Sequence, residues 1–343
     1  MKSIPGSTPV GAKTGGIKEV ARLAGVSPAT VSRVLSRVPV SEALRERVEA
    51  AVQATGYRPN LAARRLRSRH SWTVGLIVAD IRNPFFTTLS SAVEEVAYKA
   101  GLRVILCNTD EDPQKEAIYL QLMQDERVTG AIFAPTRETA GRLARQRLEF
   151  PVVLIDRAVP GGVHDAVVLD NREAGAVLAR HLHAQGFRRI AGLFGSRSTT
   201  GIERHAGYAE ALAALGLPAR AEFVMPAVAP AEAAVRRWLA SADRPDAVVA
   251  SNGLLLMGVV RALRAAGCAM PDDLAVAGFD NDGWTELVGP GLTVIEQPVE
   301  AIGRTAMTML LERLEQPEAP TRRVVLSGRC VARGSTAPAR AEA

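Results

Sequence analysis

The sequence predicts an α/β protein, with a small all-α head of three helices followed by a two-lobed body of alternating strands and helices. Three observations carry this. Short amphipathic stretches punctuated by Gly25 and Pro28 fill residues 17 to about 55. From Ser71 onward, near-continuous apolar segments such as WTVGLIVADI and DLAVAGFD recur between helical patterns, as expected of parallel strands covered on both faces. That alternating region runs for roughly 260 residues, which exceeds one simple unit and suggests two similar lobes.

Composition agrees. The 343 residues are 47% hydrophobic, so the chain is globular. Its net charge of +6 is unevenly shared. The first 70 residues hold 13 Lys+Arg against 4 Asp+Glu, and the remainder holds 29 against 32. A basic head on a mildly acidic body points to a polyanionic partner. Cys107, Cys268 and Cys330 lie far apart and the five histidines are scattered, so no metal site, disulfide framework or cofactor is expected. Residues 1–15 contain no apolar run and read as a flexible tail. No stretch is long enough to span a bilayer, and a cytoplasmic protein without membrane contact is expected.

In the head (16–58), IKEVARLA reads as a helix with Val20, Ala21 and Ala24 on one face. Gly25 ends it in a tight turn. Ser27 is a good N-cap, and Pro28 sits at the first helical position, where its missing N–H costs nothing. Val31, Val34 and Leu35 form the buried stripe of this second helix, leaving Thr30, Ser32 and Arg33 on other faces. A third helix runs from Ser41 to about Thr55. The three make a helix-turn-helix unit whose second helix fits the major groove. Arg33 reaches either guanine or a phosphate. Pro28 and Ala29 suit a thymine methyl, and Thr30 and Ser32 suit phosphates.

Residues 59–73 read as a hinge helix and linker. Pro59 breaks the chain, and Asn60 caps a short, arginine-rich helix too short to hold alone in water. Leu66 either wedges between base pairs, with Arg67 in the minor groove, or packs on the body.

The body (74–333) places polar residues at strand ends: Asp80, Asp156, Asn252 and Asp280. Ligands of open parallel sheets bind beyond the carboxyl ends of the strands. These groups suit a hydroxylated ligand, with Phe85 or Trp284 stacking on its apolar face. Each aspartate could equally be a cap or turn residue, and Phe85 and Phe86 could be plain core. No GxSxG, GxGxxG, P-loop or HExxH occurs, and SRSTT (196–200) reads as a flexible lid. Residues 334–343 read as a polar tail, and the lobe crossovers are expected near 162, 293 and 323.

In IKEVARLAGVSPATVSRVL, GYRPNLAARRL, VGLIVADIRNPFF, VVLIDR, RHAGYAEAL, SNGLLLMGVVRAL, GFDN, LTVIEQP and RGST, taken in that order, the chain resembles the bacterial repressors typified by the lactose and purine repressors. The resemblance covers about residues 17–336. It implies a periplasmic-binding-protein-like body and a homodimer on a partly palindromic double-stranded DNA operator. Pro28, Ala29 and Arg33 then face bases, with Thr30 and Ser32 near the backbone. Asn60 to Arg67 form a hinge helix in which Leu66 intercalates and Ala63 packs in the minor groove. The effector cleft is formed by Phe85, Phe86, Asp156, Arg204, Asn252, Asp280, Trp284 and Gln297. Two positions depart from the family: Asn252-Gly253 stands where many relatives have Asn-Asp, and Ser36 where many have Asn. The implied function is a repressor controlled by a small metabolite, a sugar or sugar acid. The alternatives are a two-lobed enzyme acting on a sugar derivative and a purine-responsive regulator that needs a corepressor.

Overall fold

The computed structural model describes residues 16–35, 39–57, 71–145, 148–158 and 161–338. The chain divides after Arg69 into two compact units. The expected tail 1–15, Ser36 and the hinge residues Asn60, Ala63, Leu66 and Arg67 lie outside the described residues.

The head contains α1 (Ile17–Ala24), α2 (Pro28–Leu35) and α3 (Glu42–Thr55). Val20, Ala21, Ala24, Val31, Val34, Val48 and Ala51 meet in one core, so the apolar spacing of the sequence is the packing face. Gly25 has φ +62°, and the Val26 N–H returns to the Ala21 carbonyl at 2.9 Å. Both belong to a left-handed helix stop that a side chain would strain. Arg47 reaches across from α3, its Nη2 donating to the Ala24 carbonyl at 2.6 Å. A cation thus sits on the carboxyl end of α1 and fixes the turn. Ser27 Oγ accepts from the Thr30 N–H at 3.1 Å, capping α2.

The body has two six-stranded sheets. In lobe 1, β1 (Thr73–Val78), β2 (Arg103–Asn108), β3 (Gly130–Phe133), β4 (Val152–Ile155) and β5 (Asp165–Leu169) alternate with α4 (Pro84–Lys99), α5 (Pro113–Asp125) and α6 (Arg137–Leu143). Lobe 2 opens with α7 (Asn171–Ala184) and β6 (Ile190–Gly195), then α8 (Thr199–Ala214), β7 (Arg220–Val224) and α9 (Val228–Leu239). It continues through β8 (Ala247–Ala250), α10 (Gly253–Ala266), β9 (Ala275–Phe279), α11 (Trp284–Leu287) and β10 (Thr293–Glu296). The chain then returns to lobe 1 as α12 (Val299–Glu315) and β11 (Arg323–Leu326), and ends in lobe 2 as β12 (Arg329–Val331).

The strand orders β11-β5-β4-β3-β1-β2 and β12-β10-β9-β8-β6-β7 are the same order built twice, with β11 parallel to β5 and β12 antiparallel to β10. Among the described residues only the β10–β12 pairing is antiparallel. The interior strands β1, β3, β4, β6, β8 and β9 are buried along their length, which explains their unbroken apolar runs.

The crossovers fall at 170, 297–298 and 327–328, each later than the sequence suggests. DAVVL completes the first sheet as β5 instead of opening the second, because a buried parallel strand reads alike in either. The closing residues also differ from the expected tail. Ser335 and Thr336 are buried. The Ser335 hydroxyl donates to the Val276 carbonyl at 2.6 Å and accepts from the Thr293 N–H at 2.8 Å.

Candidate functional site

On the head, Pro28, Ala29 and Arg33 are exposed on α2, Thr30 and Ser32 are half-buried, and Val31 and Val34 lie beneath. The Thr30 hydroxyl is tied to Ser27 Oγ at 2.9 Å, which leaves Arg33 as the freer polar side chain of this face.

In the body, the carboxyl ends of the strands of both sheets line one narrow cleft, with a free volume of about 40 Å³. Asp80 and Phe85 follow β1, Glu111 follows β2, and Asp156 and Arg157 follow β4. From lobe 2, Ser198 follows β6, and Asn252, Asp280 and Gln297 follow β8, β9 and β10. Asp156 and Asp280 hold matching places in the two sheets. Both have left-handed backbones, with φ +61° and +76°. Their amides donate to the next strand, to the Val167 carbonyl at 3.2 Å and the Ile295 carbonyl at 3.0 Å. Holding a non-glycine residue there costs on the order of 1–2 kcal/mol, and such strain clusters at functional sites.

Arg204 is positioned by helix packing. Cβ atoms added to Gly175 and Gly207 would meet the Arg204 and Arg172 carbonyls at 2.1 and 1.7 Å, so α7 and α8 touch backbone to backbone. That close approach delivers the guanidinium to the cleft floor, where it stacks on Phe279 at 4.0 Å. Nε donates to Asn171 Oδ1 (2.8 Å), Nη1 to the Ser251 carbonyl (2.5 Å) and Nη2 to Gln297 Oε1 (3.3 Å). Two of its five N–H groups are left over. Burial lowers its pKa, against the pull of Asp280 and Asp156. Asp280 accepts from the Gly253 N–H at 2.8 Å and from Gln297 Nε2 at 2.5 Å.

Lobe 1 supplies a charge cluster. Arg157 is buried and pairs with both oxygens of buried Glu111. It also donates to the Pro135 carbonyl at 3.2 Å and to Asp156 Oδ2 at 3.0 Å. Burial opposes its charge, but Glu111 and Asp156 outweigh burial and hold the guanidinium protonated. Burial pushes the Asp156 carboxyl upward, while Arg157 and Arg204 pull it down.

Most of the expected residues converge. Phe85 and Phe86 meet edge to face at 5.0 Å, and they belong both to the lobe 1 core and to the cleft wall. Asn252 lines the cleft while its Oδ1 caps α10 through the Leu255 N–H at 2.8 Å. Asp80 lines it too, its carboxylate paired with Arg82 at 2.8 Å. Trp284 does not join them: it opens α11 and packs on the lobe 2 core, and Pro226 and Leu254 supply apolar wall instead. Sequence reasoning missed Arg157 and Glu111. Arg157 had a signal, directly following Asp156 at a strand end. Glu111 had none, 46 residues away on an irregular turn. Gly253 abuts acid: a Cβ there would lie 3.3 Å from carboxylate oxygens of both Asp280 and Asp282. Burial, then Asp280, raises the Asp282 pKa to about 6.

A family model for bacterial regulatory proteins, lacI family, matches residues 16–60, and one for a periplasmic binding protein-like domain matches 179–336. The HTH-type transcriptional regulator PtxS of Pseudomonas plecoglossicida is 36% identical, covering 93% of this chain and 95% of that protein. The chain belongs to the lacI family. Its members are DNA-binding transcription regulators, not enzymes, and they form dimers that bind operators and small-molecule effectors. A lacI family regulator from Enterococcus faecium solved with bound ribose shares 30% identity at a TM-score of 0.70, covering 78% of this chain and 100% of its own. The lac repressor dimer bound to operator has a TM-score of 0.84 at 23% identity, covers 95% and 100%, and supports the fold. Among the described residues no helix is long and apolar enough to cross a membrane, and no group of His, Cys, Asp and Glu is placed to hold a metal.

Proposed function

We propose that the protein is a homodimeric repressor whose operator affinity is set by a sugar bound in the body cleft, a neutral sugar before a sugar acid. One observation carries this: acidic side chains outnumber basic ones in the cleft lining, where Asp80, Glu111, Asp156 and Asp280 stand against Arg157 and Arg204. Arg157 is already paired with Glu111 and Asp156, and Arg204 is bonded only to neutral groups. A lining that mixes donors and acceptors with Phe85 suits hydroxyls on a ring with an apolar face. A carboxylate ligand would meet at least as much negative as positive charge. The ribose bound to the Enterococcus faecium relative supports the same reading.

Two heads on one dimer read half-sites about one helical turn apart, through Arg33 with Pro28 and Ala29. The hinge residues Asn60, Ala63, Leu66 and Arg67 are assigned the minor groove by family likeness. Exposed apolar residues on the edges suit pairing of two copies: Tyr98, Leu106 and Ile118 beside β2, and Phe223 and Met225 at β7. The sugar acts only through unequal affinity for two lobe arrangements.

The test is a thermal-shift screen of D-ribose, other aldoses, keto-sugar acids and purines, with operator binding measured from a palindromic DNA library. A neutral sugar should raise Tm and change operator affinity by about tenfold. A response to purines alone would overturn the sugar, and binding without sequence preference would overturn the repressor.

A further inference from the structure

The segment Ser196–Ser198, part of the SRSTT stretch read from sequence as a flexible lid, joins the two lobes in the structure. Arg197 Nη1 donates to the Glu111 carbonyl at 3.1 Å, and the Arg197 carbonyl accepts from the Arg137 N–H at 3.2 Å. Both partners belong to lobe 1. The turn that receives the guanidinium is unusual. Asp110 and Glu111 are consecutive non-glycine residues with φ +53° and +58°. Each is disfavoured by on the order of 1 kcal/mol or more.

Several bonds hold that turn. The Glu111 N–H donates to the Ala79 carbonyl at 3.1 Å, and Asp110 accepts from Asn108 Nδ2 at 2.8 Å and pairs with Lys115. The conformation points the two ends of Glu111 at different targets. Its carbonyl meets Arg197 of the opposite lobe. Its carboxylate grips Arg157 on the cleft floor, and Arg157 in turn holds Asp156.

We propose that Arg197 is a positioning residue for the effector: when the lobes meet, it fixes the strained Asp110–Glu111 turn and thereby the Arg157 side chain, without itself touching the effector. This rests on the reading of the cleft as the effector site. It makes lobe closure and the shape of the cleft floor one event. A sugar that needs Arg157 in place then favours the arrangement in which Arg197 is bonded, which is the differential affinity that allosteric control requires.

The experiment uses the full-length protein and the variants Arg197→Ala and Arg197→Lys. Without added sugar, amide exchange is followed at Glu111 and Arg137, together with the Nε–H resonance of Arg157. Arg197→Ala should speed exchange at both amides at least about fivefold and shift or broaden the Arg157 signal, with Tm within about 2 °C of wild type. Arg197→Lys should restore part of each. Titration with D-ribose should give an affinity about 5- to 20-fold weaker for Arg197→Ala. Unchanged exchange and an unchanged Arg157 signal would overturn the proposal. So would faster exchange throughout both lobes with a large fall in Tm, which marks a merely structural contact. So would equal D-ribose affinities. A wild-type protein that does not bind D-ribose would count against the sugar reading instead, and the exchange and Arg157 measurements would still decide Arg197.

Discussion

In lobe 2, Asp280 is held by neutral donors, the Gly253 N–H and the Gln297 amide, with Arg204 one bond further on. In lobe 1 the matching Asp156 is held by a cation, Arg157, which is itself clamped by Glu111. The same strand order therefore presents two carboxylates on different supports. Removing a neutral donor such as Gln297 costs hydrogen bonds but no counter-charge. A buried charge cluster loses its balance, because the remaining ions have left water and keep fewer partners. Lobe 1 should be the brittle wall of the cleft and lobe 2 the tolerant one.

The sharpest way to break that contrast is to remove one support from each side. Glu111→Ala strips a buried guanidinium of its bidentate partner and should cost about 3–5 kcal/mol. Gln297→Ala removes bonds to Asp280 and Arg204 and should cost about 1–3 kcal/mol. Chemical denaturation of both variants checks this. Equal losses would show that the two aspartates are supported alike after all.

A smaller effect is expected where the two supports meet the ligand. Arg204→Lys keeps the charge, but an ammonium cannot reproduce the planar fork that meets Asn171, the Ser251 carbonyl and Gln297 while stacking on Phe279. Effector affinity by calorimetry should fall about 10- to 100-fold, or about 1.4–2.8 kcal/mol. Operator affinity without effector should stay within about threefold. A matching loss of operator affinity would place Arg204 in the architecture of the lobe and not in recognition.

The same contrast marks what the sequence could and could not reveal. The head was legible because its chemistry is local: Gly25, Ser27 and Pro28 are adjacent, and the core stripe repeats within a few residues. Asp156, Asn252 and Asp280 were legible because each ends an apolar run. The Glu111–Arg157 clamp was not, since a pairing across 46 residues leaves no periodic trace and its turn runs against backbone preference. Trp284 misled because an aromatic beside GFDN serves a core as well as a cleft. The hydroxyls of Ser335 and Thr336 misled because buried, satisfied hydroxyls look like a polar tail.

The smallest effect tests a site where the lobes differ by one residue. Two positions after Asp280 stands Asp282, and two positions after Asp156 stands buried Ala158. Asp282 Oδ2 is buried without a hydrogen-bond partner, and burial with nearby Asp280 raises its pKa to about 6 from the ordinary 3.8. A carboxyl with a higher pKa folded than unfolded binds its proton more tightly in the folded state. Its contribution therefore favours folding as pH falls from about 6 towards 4, and opposes folding above about 6, where the ionised form is forced into the site. Asp282→Asn removes that charge while keeping the shape. It should raise Tm by about 1–2 °C at pH 7.5, a modest figure because the group is only half buried and water screens it. The advantage over wild type should shrink as pH drops to 5, read by differential scanning calorimetry across that range. A constant difference at every pH would mean that Asp282 keeps an ordinary carboxylate pKa, and that the acidic surroundings of Gly253 in lobe 2 cost the fold nothing.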